Sequence, residues 1–471
     1  MTLTDFRTQI QTAAQAGTLG QGVIGDGVMI PGLNGDVPLV YADYVASGRA
    51  MQQVEDFVSQ KVLPFYANSH TEASYCGSYM TRLRREARAQ IARCVGAKED
   101  DAVIFAGSGA TAGLNRLVSL LGVEEADQPV VLIGPYEHHS NILPWRESKA
   151  QVVEIPEGPA GGPDLNALEA ALRAHAGSDP LIGSFSAASN VTGIITDPDP
   201  VTRLLKQHGA LAVWDYAGGG PYLPIDMSSG DTKKDAVVVS PHKFPGGPGA
   251  SGVLILNKHA VRSQAPSWPG GGTVSFVSPW RHEYSDDLAA REEAGTPNVI
   301  GDIRAALAFI IKDAVGTDQI ARREARFNQM ARDGWKGNPH LTLLAGENAH
   351  RLPIFSFLVR DRSGQPVHQQ LFTRMLSDIY GIQARGGCAC AGPYAHRLLG
   401  IDQAMSEVLF SQLSAGEELQ KPGWVRLNFS YLMSDETAQF IIESVNDLSR
   451  RVEEFAHCYA VDPATARFKA A

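Results

Sequence analysis

Several features are scarce in this 471-residue sequence, and each scarcity excludes a class of protein. No apolar run approaches the roughly 20 residues that a membrane-spanning helix needs, and the N-terminus lacks the basic start and apolar core of a signal peptide. The few cysteines lack the paired spacing of a zinc site or of a disulfide framework. They are Cys76, Cys94, Cys388, Cys390 and Cys458. We therefore expect a cytoplasmic protein whose cysteines are mostly reduced.

Positive charge is also in deficit. The chain has 41 Lys and Arg residues against 51 Asp and Glu residues, which gives a formal net charge of −10. Nucleic acids and anionic membranes select basic surfaces, so we expect neither as the main partner. Small molecules and other proteins remain as the expected partners of this chain.

Apolar segments alternate with helical patterns between about residues 100 and 256. This alternation is typical of an α/β domain with a mainly parallel sheet between layers of helices. We assign residues 1–40 to an N-terminal arm, 41–305 to a large α/β domain and 306–471 to a smaller α+β domain. Short, strongly apolar runs predict strands at 101–105, 129–134, 180–185, 211–215 and 236–239.

Three further predictions concern individual elements. The spacing of apolar residues predicts a helix from Met80 to Val95 and one long helix from Ile300 to about Arg332. The passage from Trp268 to Asp287 begins with proline and glycine, which indicates a loop without regular structure.

One lysine stands at the end of a predicted buried strand. A run of valines ends at Ser240, Lys243 follows, and glycine and proline then interrupt the pattern up to Gly252. A lysine held among backbone groups is partly desolvated, which favours the neutral amine that attacks carbonyl groups. The alternative is a loop lysine in water, where most lysines lie.

Three other segments place polar groups directly after predicted strands. The small-residue turn from Ala106 to Asn115 joins a strand to a helix, an arrangement that binds phosphate through backbone N–H groups. A tight turn without a ligand is the alternative there. Asp215 ends a strand, as a structural ion-pair partner or a ligand group, and His138 suits an aromatic or proton-carrying role. Together with Lys243 they describe a pyridoxal phosphate pocket.

These motifs resemble those of the class V (fold type I) pyridoxal phosphate enzymes, and within that family the cysteine desulfurase and selenocysteine lyase branch. The resemblance runs from about Tyr41 to the last helix. Its motifs are Glu137-His138-His139-Ser140-Asn141 with Pro144-Trp145, Ser189-Asn190, Asp215, Ser240 with His242-Lys243, Ala294 to Asn298, and Arg385 to Cys390. It implies a fold type I large domain and a smaller C-terminal domain that carries a cysteine loop.

The resemblance also implies roles at the cofactor. Lys243 is expected to form the Schiff base, His138 to stack on the ring and Asp215 to pair with the pyridine nitrogen. One sequence departure lies beside Asp215, because Gly218 stands where related desulfurases have a glutamine that bonds the ring hydroxyl. The residues expected to hold the phosphate end are Ala110, Thr111, Ser240 and His242.

Other roles concern the substrate and a second subunit. The resemblance implies that Asn190 lies near the substrate and the ring oxygen, and that Arg426 binds the substrate carboxylate. Arg385 is a further candidate for substrate binding. Thr296 matches a residue that reaches the phosphate of the neighbouring subunit, which implies a homodimer.

The cysteine loop bears on the reaction. Cys390 follows Arg385 by five residues, the spacing that the resemblance associates with a nucleophilic cysteine. The implied reaction converts L-cysteine to L-alanine and leaves a persulfide on the protein, for a possible acceptor protein. Attack needs a thiolate, which a nearby cation favours. Cys388 offers a second thiol that bears the persulfide, resolves it, or simply packs in the loop.

Two other readings of the function stay open at this point. The first is another class V reaction on a small amino acid, such as transamination, epimerisation or C–S lysis without a persulfide. It keeps Lys243 essential and makes Cys390 dispensable. The second is a non-catalytic partner in sulfur delivery, and the presence of Lys243, Asp215 and His138 weighs against it.

Overall fold

The computed structural model describes residues 2–69, 71–227, 230–346 and 350–470. The chain divides into two compact units, each made of separate stretches. The first unit comprises Met1–Ile24, Ser47–Ala188 and Ile195–Thr317. The second comprises Gly25–Ala46, Ser189–Ile194 and Asp318–Ala471. The domain boundaries given above remain predictions.

The described residues include helices distributed over both units. In chain order the α-helices are α1 (Leu3–Gln15), α2 (Gln52–Phe57), α3 (Tyr75–Cys94), α4 (Gly109–Leu120), α5 (Leu143–Arg146), α6 (Leu165–Ala174), α7 (Pro198–Gln207), α8 (Leu288–Glu292), α9 (Val299–Val315), α10 (Thr317–Trp335), α11 (Gln369–Tyr380), α12 (Gly392–Leu399), α13 (Gln403–Ser414) and α14 (Asp435–Ala456).

Strands likewise occur in both units. In chain order they are β1 (Met29–Gly32), β2 (Gly35–Pro38), β3 (Val40–Tyr41), β4 (Asp101–Gly107), β5 (Val130–Ile133), β6 (Gln151–Glu154), β7 (Leu181–Ser186), β8 (Leu211–Asp215), β9 (Ala236–Val239), β10 (Gly252–Asn257), β11 (Val274–Val277), β12 (His282–Tyr284), β13 (Leu341–Leu343), β14 (Ile354–Arg360), β15 (Pro366–Val367), β16 (Ile382–Gln383), β17 (Arg385–Gly387), β18 (Trp424–Asn428), β19 (Tyr459–Asp462) and β20 (Arg467–Ala470).

The first unit contains a seven-stranded sheet in the order β4-β10-β9-β8-β7-β5-β6. Strands β9, β8, β7, β5 and β6 run parallel, and β10 is antiparallel to both of its neighbours. Every residue of β5, β7, β9 and β10 is buried, as expected for strands covered on both faces. The prediction of an α/β fold with a mainly parallel sheet is confirmed.

The topology brings six strand ends to one edge of this sheet. Because β10 is antiparallel to both β4 and β9, strand β4 runs in the same direction as β9 and the other parallel strands. The carboxyl ends of these strands therefore lie along the same edge, where open α/β sheets bind ligands. These ends are Gly107, Ile133, Glu154, Ser186, Asp215 and Val239.

The second unit contains a smaller antiparallel sheet in the order β13-β14-β18-β17, with β15 paired to β14. Its core is largely aromatic. Trp335 of α10 packs edge-on against Phe355 of β14, with ring centroids 5.1 Å apart. Strand β3 joins this unit by parallel pairing with β16, so residues near position 40 lie beside residues near 382. The unit is α+β, as predicted for the C-terminal part of the chain.

Three local predictions need correction. The long helix predicted from Ile300 is two helices, α9 and α10, because Gly316 between them has a φ of +84°, which glycine adopts without steric cost. The helix predicted from Met80 begins at Tyr75, because the Ser74 hydroxyl accepts a hydrogen bond from the Gly77 N–H. The passage predicted as irregular contains the β11–β12 hairpin.

No membrane-spanning helix is found in the described part of the chain: none of its helices is both long and apolar enough.

A buried ion-pair cluster joins α3 to the sheet of the first unit. Both carboxylate oxygens of Glu293 accept hydrogen bonds from Arg88, at 2.7 and 2.8 Å, and the Phe105 N–H of β4 donates to the same carboxylate at 2.7 Å. Burial alone would raise the pKa of Glu293, but these bonds, together with Arg84, lower it below its ordinary value. Glu293 is therefore an ionised, fully paired group.

We predict that Glu293→Gln destabilises the first unit by about 3 kcal/mol at pH 7, because Arg88 loses its buried counter-charge and Arg84 keeps only Asp302. Since the pKa of Glu293 is lower in the folded state, its contribution is complete above pH 4.5 and is lost as the pH falls. Urea unfolding at pH 7 and pH 4 measures this. The difference between wild type and variant should narrow at pH 4, and a constant difference would contradict the assignment.

Candidate active site

A glycine turn connects β4 to α4 in the first unit. Gly107 and Gly109 have φ values of +90° and +62°, which side-chain-bearing residues rarely adopt. A Cβ at Gly109 would lie 3.0 Å from both His242 Cε1 and Ser240 Oγ. The Ala110 N–H at the start of α4 donates to Ser240 Oγ at 2.9 Å. The helix N-terminus, Ser240 and His242 therefore lie together.

The segment that carries Lys243 is fixed by its backbone. Residues Pro241–Lys243 form a 3₁₀ turn directly after β9. The His242 carbonyl accepts a hydrogen bond from the Gly48 N–H at 2.9 Å. A Cβ at Gly48 would lie 1.9 Å from the Phe244 oxygen, and one at Gly247 would lie 1.9 Å from the Pro241 oxygen. Gly48 and Gly247 thus allow backbone to pack closely against the segment that carries Lys243.

Burial determines the charge of two groups here. It lowers the pKa of His242 to about 4, with a smaller effect from Lys243, so the imidazole is neutral at pH 7. Burial raises the pKa of Asp215 at the end of β8, while the Ala217 N–H and the charge of Lys243 lower it. Asp215 and Lys243 are therefore within electrostatic reach of each other.

His138 is held by a short hydrogen-bonded chain. Its Nδ1 accepts the Ser140 N–H at 3.1 Å, which caps the following turn. The Ser140 hydroxyl in turn lies 2.7 Å from the Thr111 hydroxyl on α4. The loop after β5 is in this way connected to the helix N-terminus beside Ser240.

Glu137, which was not predicted as a site residue, connects two strand ends. Its carboxylate accepts hydrogen bonds from the Ser186 N–H and hydroxyl at the end of β7, at 2.9 and 2.6 Å. Asn141 also donates to it at 2.6 Å. Burial raises the pKa of Glu137 to about 7. A buried acid inside a motif already singled out was the signal that pointed to it.

In the described part of the chain, Thr296 is not joined to this cluster by hydrogen bonds. It is exposed, in the loop between α8 and α9. None of the hydrogen bonds among the described residues joins it to Lys243, Asp215 or the α4 turn. Its expected role at a second subunit remains a prediction.

The first unit fits pyridoxal phosphate. A helix N-terminus with close-packed glycine suits a phosphate group, which needs backbone N–H donors and room for approach. A buried carboxylate suits a protonated pyridine nitrogen, because each would otherwise be an unpaired buried charge. The amine of Lys243 suits the aldehyde group of the cofactor, to which it can bind covalently. The residues that would hold the cofactor are Ala110, Thr111, His138, Asp215, Ser240, His242 and Lys243.

The second unit contains a separate cluster of charged residues around Asp43. Arg426 of β18 donates to Asp43 Oδ1 from Nη2 at 2.8 Å, and Arg385 of β17 donates to Oδ2 from Nε at 2.9 Å. Arg426 Nη1 donates to the Asn190 carbonyl at 3.0 Å. Asp43 itself was not among the predicted site residues, and it lies two residues after the short strand β3.

The cysteine loop is attached to this cluster. The Asn190 side-chain amide donates to the Ala389 carbonyl at 2.8 Å. Ala389 and Cys390 have φ values of +53° and +55°, which cost strain in residues other than glycine. Cys390 is exposed, and Cys388 is partly buried. Electrostatic interaction with Cys390 raises the pKa of Arg426, although burial dominates and lowers it. The thiol and the guanidinium are therefore within electrostatic reach.

Two buried polar atoms in this cluster lack a partner among the described residues. They are Arg426 Nε and Asn190 Oδ1. Buried polar atoms are nearly always hydrogen-bonded in folded proteins, so these two indicate the place of a ligand. The structure thus groups the predicted Arg385, Arg426, Asn190 and Cys390 in the second unit, and the remaining predicted residues belong to the first.

Comparison with known proteins agrees with this geometry. A family model described as aminotransferase class-V matches residues 40–421, and the chain belongs to that family. A cysteine desulfurase from Salmonella agona is 30% identical over 363 residues, which cover 76% of this chain and 85% of that protein. The predicted family and the predicted similarity to cysteine desulfurases are confirmed.

Two solved structures share the fold. The apo cysteine desulfurase of Thermococcus onnurineus superposes with a TM-score of 0.72 at 23% identity, over 87% of this chain and 94% of that one. A cysteine desulfurase from Escherichia coli superposes with a TM-score of 0.67 at 20% identity, over 86% and 94% of the two chains. At these identities the superpositions support the fold alone, and they confirm the predicted fold type I architecture.

We predict that Gly109→Ala weakens binding of pyridoxal phosphate at least about tenfold, because the methyl group would press on Ser240 and His242 and strain the turn. Titration of the apo protein with the cofactor, followed by visible absorption, measures the affinity. Gly209→Ala is the matched control, because Gly209 has a similar φ of +71° and no atoms within 4 Å of the added carbon. Equal losses in both variants would attribute the effect to backbone strain alone.

Proposed function

We propose that this chain is a pyridoxal phosphate-dependent enzyme of the cysteine desulfurase type, which converts L-cysteine to L-alanine and takes the sulfur as a persulfide on Cys390. The observation that carries the proposal is the arrangement of the second unit. An exposed cysteine sits in a strained loop, the loop is fixed by Asn190, and a buried arginine within electrostatic reach has an unpaired donor. The chain's class V membership and its similarity to a cysteine desulfurase support it further.

The first unit supplies the groups for proton transfer and charge balance. Bound pyridoxal phosphate acts as an electron sink for the substrate Cα. Lys243 removes and returns the proton at Cα, which needs its neutral amine. Asp215 balances the positive charge of a protonated pyridine nitrogen. Because His242 is neutral, the phosphate would be bound by the helix N-terminus and by hydroxyl donors such as Ser240 and Thr111, and not by a charged imidazole.

The second unit supplies the sulfur chemistry. The Cys390 thiolate attacks the substrate sulfur, so that a new S–S bond forms as the substrate C–S bond breaks. The electron pair of the broken bond returns to Cβ, which takes up a proton. The sum is L-cysteine plus the Cys390 thiol giving L-alanine plus the Cys390 persulfide. Attack needs the thiolate form of a cysteine, and Arg426 lies within electrostatic reach of Cys390.

Three further properties belong to the same proposal. We infer a homodimer, supported by the exposed position of Thr296, which by resemblance serves a neighbouring subunit. We infer a sulfur-acceptor protein, because an exposed Cys390 can be reached by another thiol. We infer a cytoplasmic location, supported by five free cysteines, which suit a reducing compartment.

Lys243→Ala should remove the visible absorption band of the bound cofactor and abolish alanine formation, because the amine that the cofactor aldehyde binds is lost. Absorption spectra of the purified variant measure this. Lys258→Ala is the control, because Lys258 is exposed and its side-chain amine donates to the Glu99 carbonyl. An unchanged spectrum of Lys243→Ala would contradict the cofactor assignment.

Cys390→Ala should abolish persulfide formation and lower alanine release by at least about 100-fold, because the only proposed attacking thiol is lost. A single-turnover incubation with L-cysteine measures both products, with the persulfide located by peptide mass. Cys388→Ala is the matched control, two residues away, and should keep both. Full activity of Cys390→Ala would reject the desulfurase reaction and favour transamination, epimerisation or C–S lysis.

A further inference from the structure

We propose that Asp43 determines which amino acids the enzyme accepts, by setting the net charge of the arginine cluster to +1, which one carboxylate neutralises. The preferred substrates are amino acids with an uncharged side chain, and dicarboxylic amino acids and sulfinates are disfavoured. This inference rests on the proposed function, because it takes Arg426 as the group that receives the substrate.

The geometry makes Asp43 a shared counter-ion. Each of its carboxylate oxygens accepts a hydrogen bond from a different arginine, Oδ1 from Arg426 and Oδ2 from Arg385. Asp43 is 8% exposed and Arg426 is 3% exposed, whereas Arg385 is largely exposed on its side chain. Neither the acid nor the buried arginine can turn to water without leaving the other charge uncompensated.

Asp43 is also held in place by its backbone. The Tyr41 hydroxyl and the Ala46 N–H both donate to its carbonyl oxygen. On either side of it, the Ala42 carbonyl accepts the Asn428 N–H and the Val45 N–H donates to Asn428 Oδ1. The carboxylate is thus fixed to the end of β18, two residues from Arg426, rather than carried on a loop that swings away.

The net charge of the cluster is +1. Two arginines and one aspartate give +1 when the Cys390 thiol is protonated. Arg426 Nε has no acceptor among the described residues, and this donor is available for one carboxylate oxygen. One carboxylate neutralises the cluster. A second negative charge on the ligand would be partly buried without a counter-charge, which disfavours its binding.

The test compares the binding of two amino acids that contain no sulfur, L-alanine and L-aspartate, to the cofactor-loaded protein. Isothermal titration calorimetry measures both dissociation constants. Asp43→Asn keeps the size of the side chain and raises the cluster to +2. We expect the ratio of the dissociation constant of L-aspartate to that of L-alanine to fall at least about tenfold. Asp43→Glu keeps the charge, and its ratio should remain close to that of wild type.

Asp435 provides a matched control within the same unit. Its carboxylate also bridges two arginines, Arg323 and Arg326, and it lies in the first turn of α14. Asp435→Asn removes an equivalent charge and should leave the ratio unchanged. An equal fall in this variant would mean that net protein charge, and not Asp43, sets the preference, and would overturn the proposal.

The outcomes separate this inference from the proposed function. If wild type binds neither amino acid, both fail. If wild type binds L-alanine and forms the Cys390 persulfide, but Asp43→Asn keeps the wild-type ratio within twofold, only the role of Asp43 fails. Should Asp43→Asn not fold, Arg385→Gln lowers the cluster to zero and should raise the ratio, and an unchanged ratio there overturns the inference.

Discussion

Close approach of backbone to backbone around Ser240 to Phe244 is the constraint on which the first unit depends. At three glycines the main chain approaches this segment more closely than a Cβ would allow. They are Gly48, Gly109 and Gly247. The parallel strands deliver the segment to the edge of the sheet, but it is this packing that fixes the lysine, the imidazole and the helix N-terminus relative to one another. Precision here comes from the absence of side chains.

Burial then decides the charge of the groups so arranged. His242 is neutral because its imidazole is desolvated, and burial raises the pKa of Asp215 while the Ala217 N–H and the charge of Lys243 lower it. In the second unit burial lowers the pKa of Arg426, and the hydrogen-bonded carboxylate of Asp43 raises it. In both units, therefore, a buried ionisable group of the site is accompanied by an opposite charge.

Many of these site residues could be predicted from the sequence, because they directly follow short buried strands. Lys243, Asp215 and the turn before α4 all stand where an apolar run stops, and a parallel sheet collects such points at one edge. Asp43 was not readable, since its partners lie 342 and 383 residues further along the chain. The hairpin of β11 and β12 was missed because its flanking glycines and prolines resemble a loop. Helix α13 was missed because its sequence lacks a distinct apolar face.

The second unit is assembled from three stretches, with residues 25–46 and 189–194 separated from the remainder by most of the first unit. Strand β1 pairs with β2 nearby in the chain, but β3 pairs with β16 and the Ala42 carbonyl accepts the Asn428 N–H, so β3 and Ala42 have no partner until nearly the whole chain exists. A ribosome would release the first unit's sheet, complete through β10, well before these pairings can form. During synthesis the backbone of residues 40–42 must therefore stay unpaired, while the β1–β2 hairpin can form early.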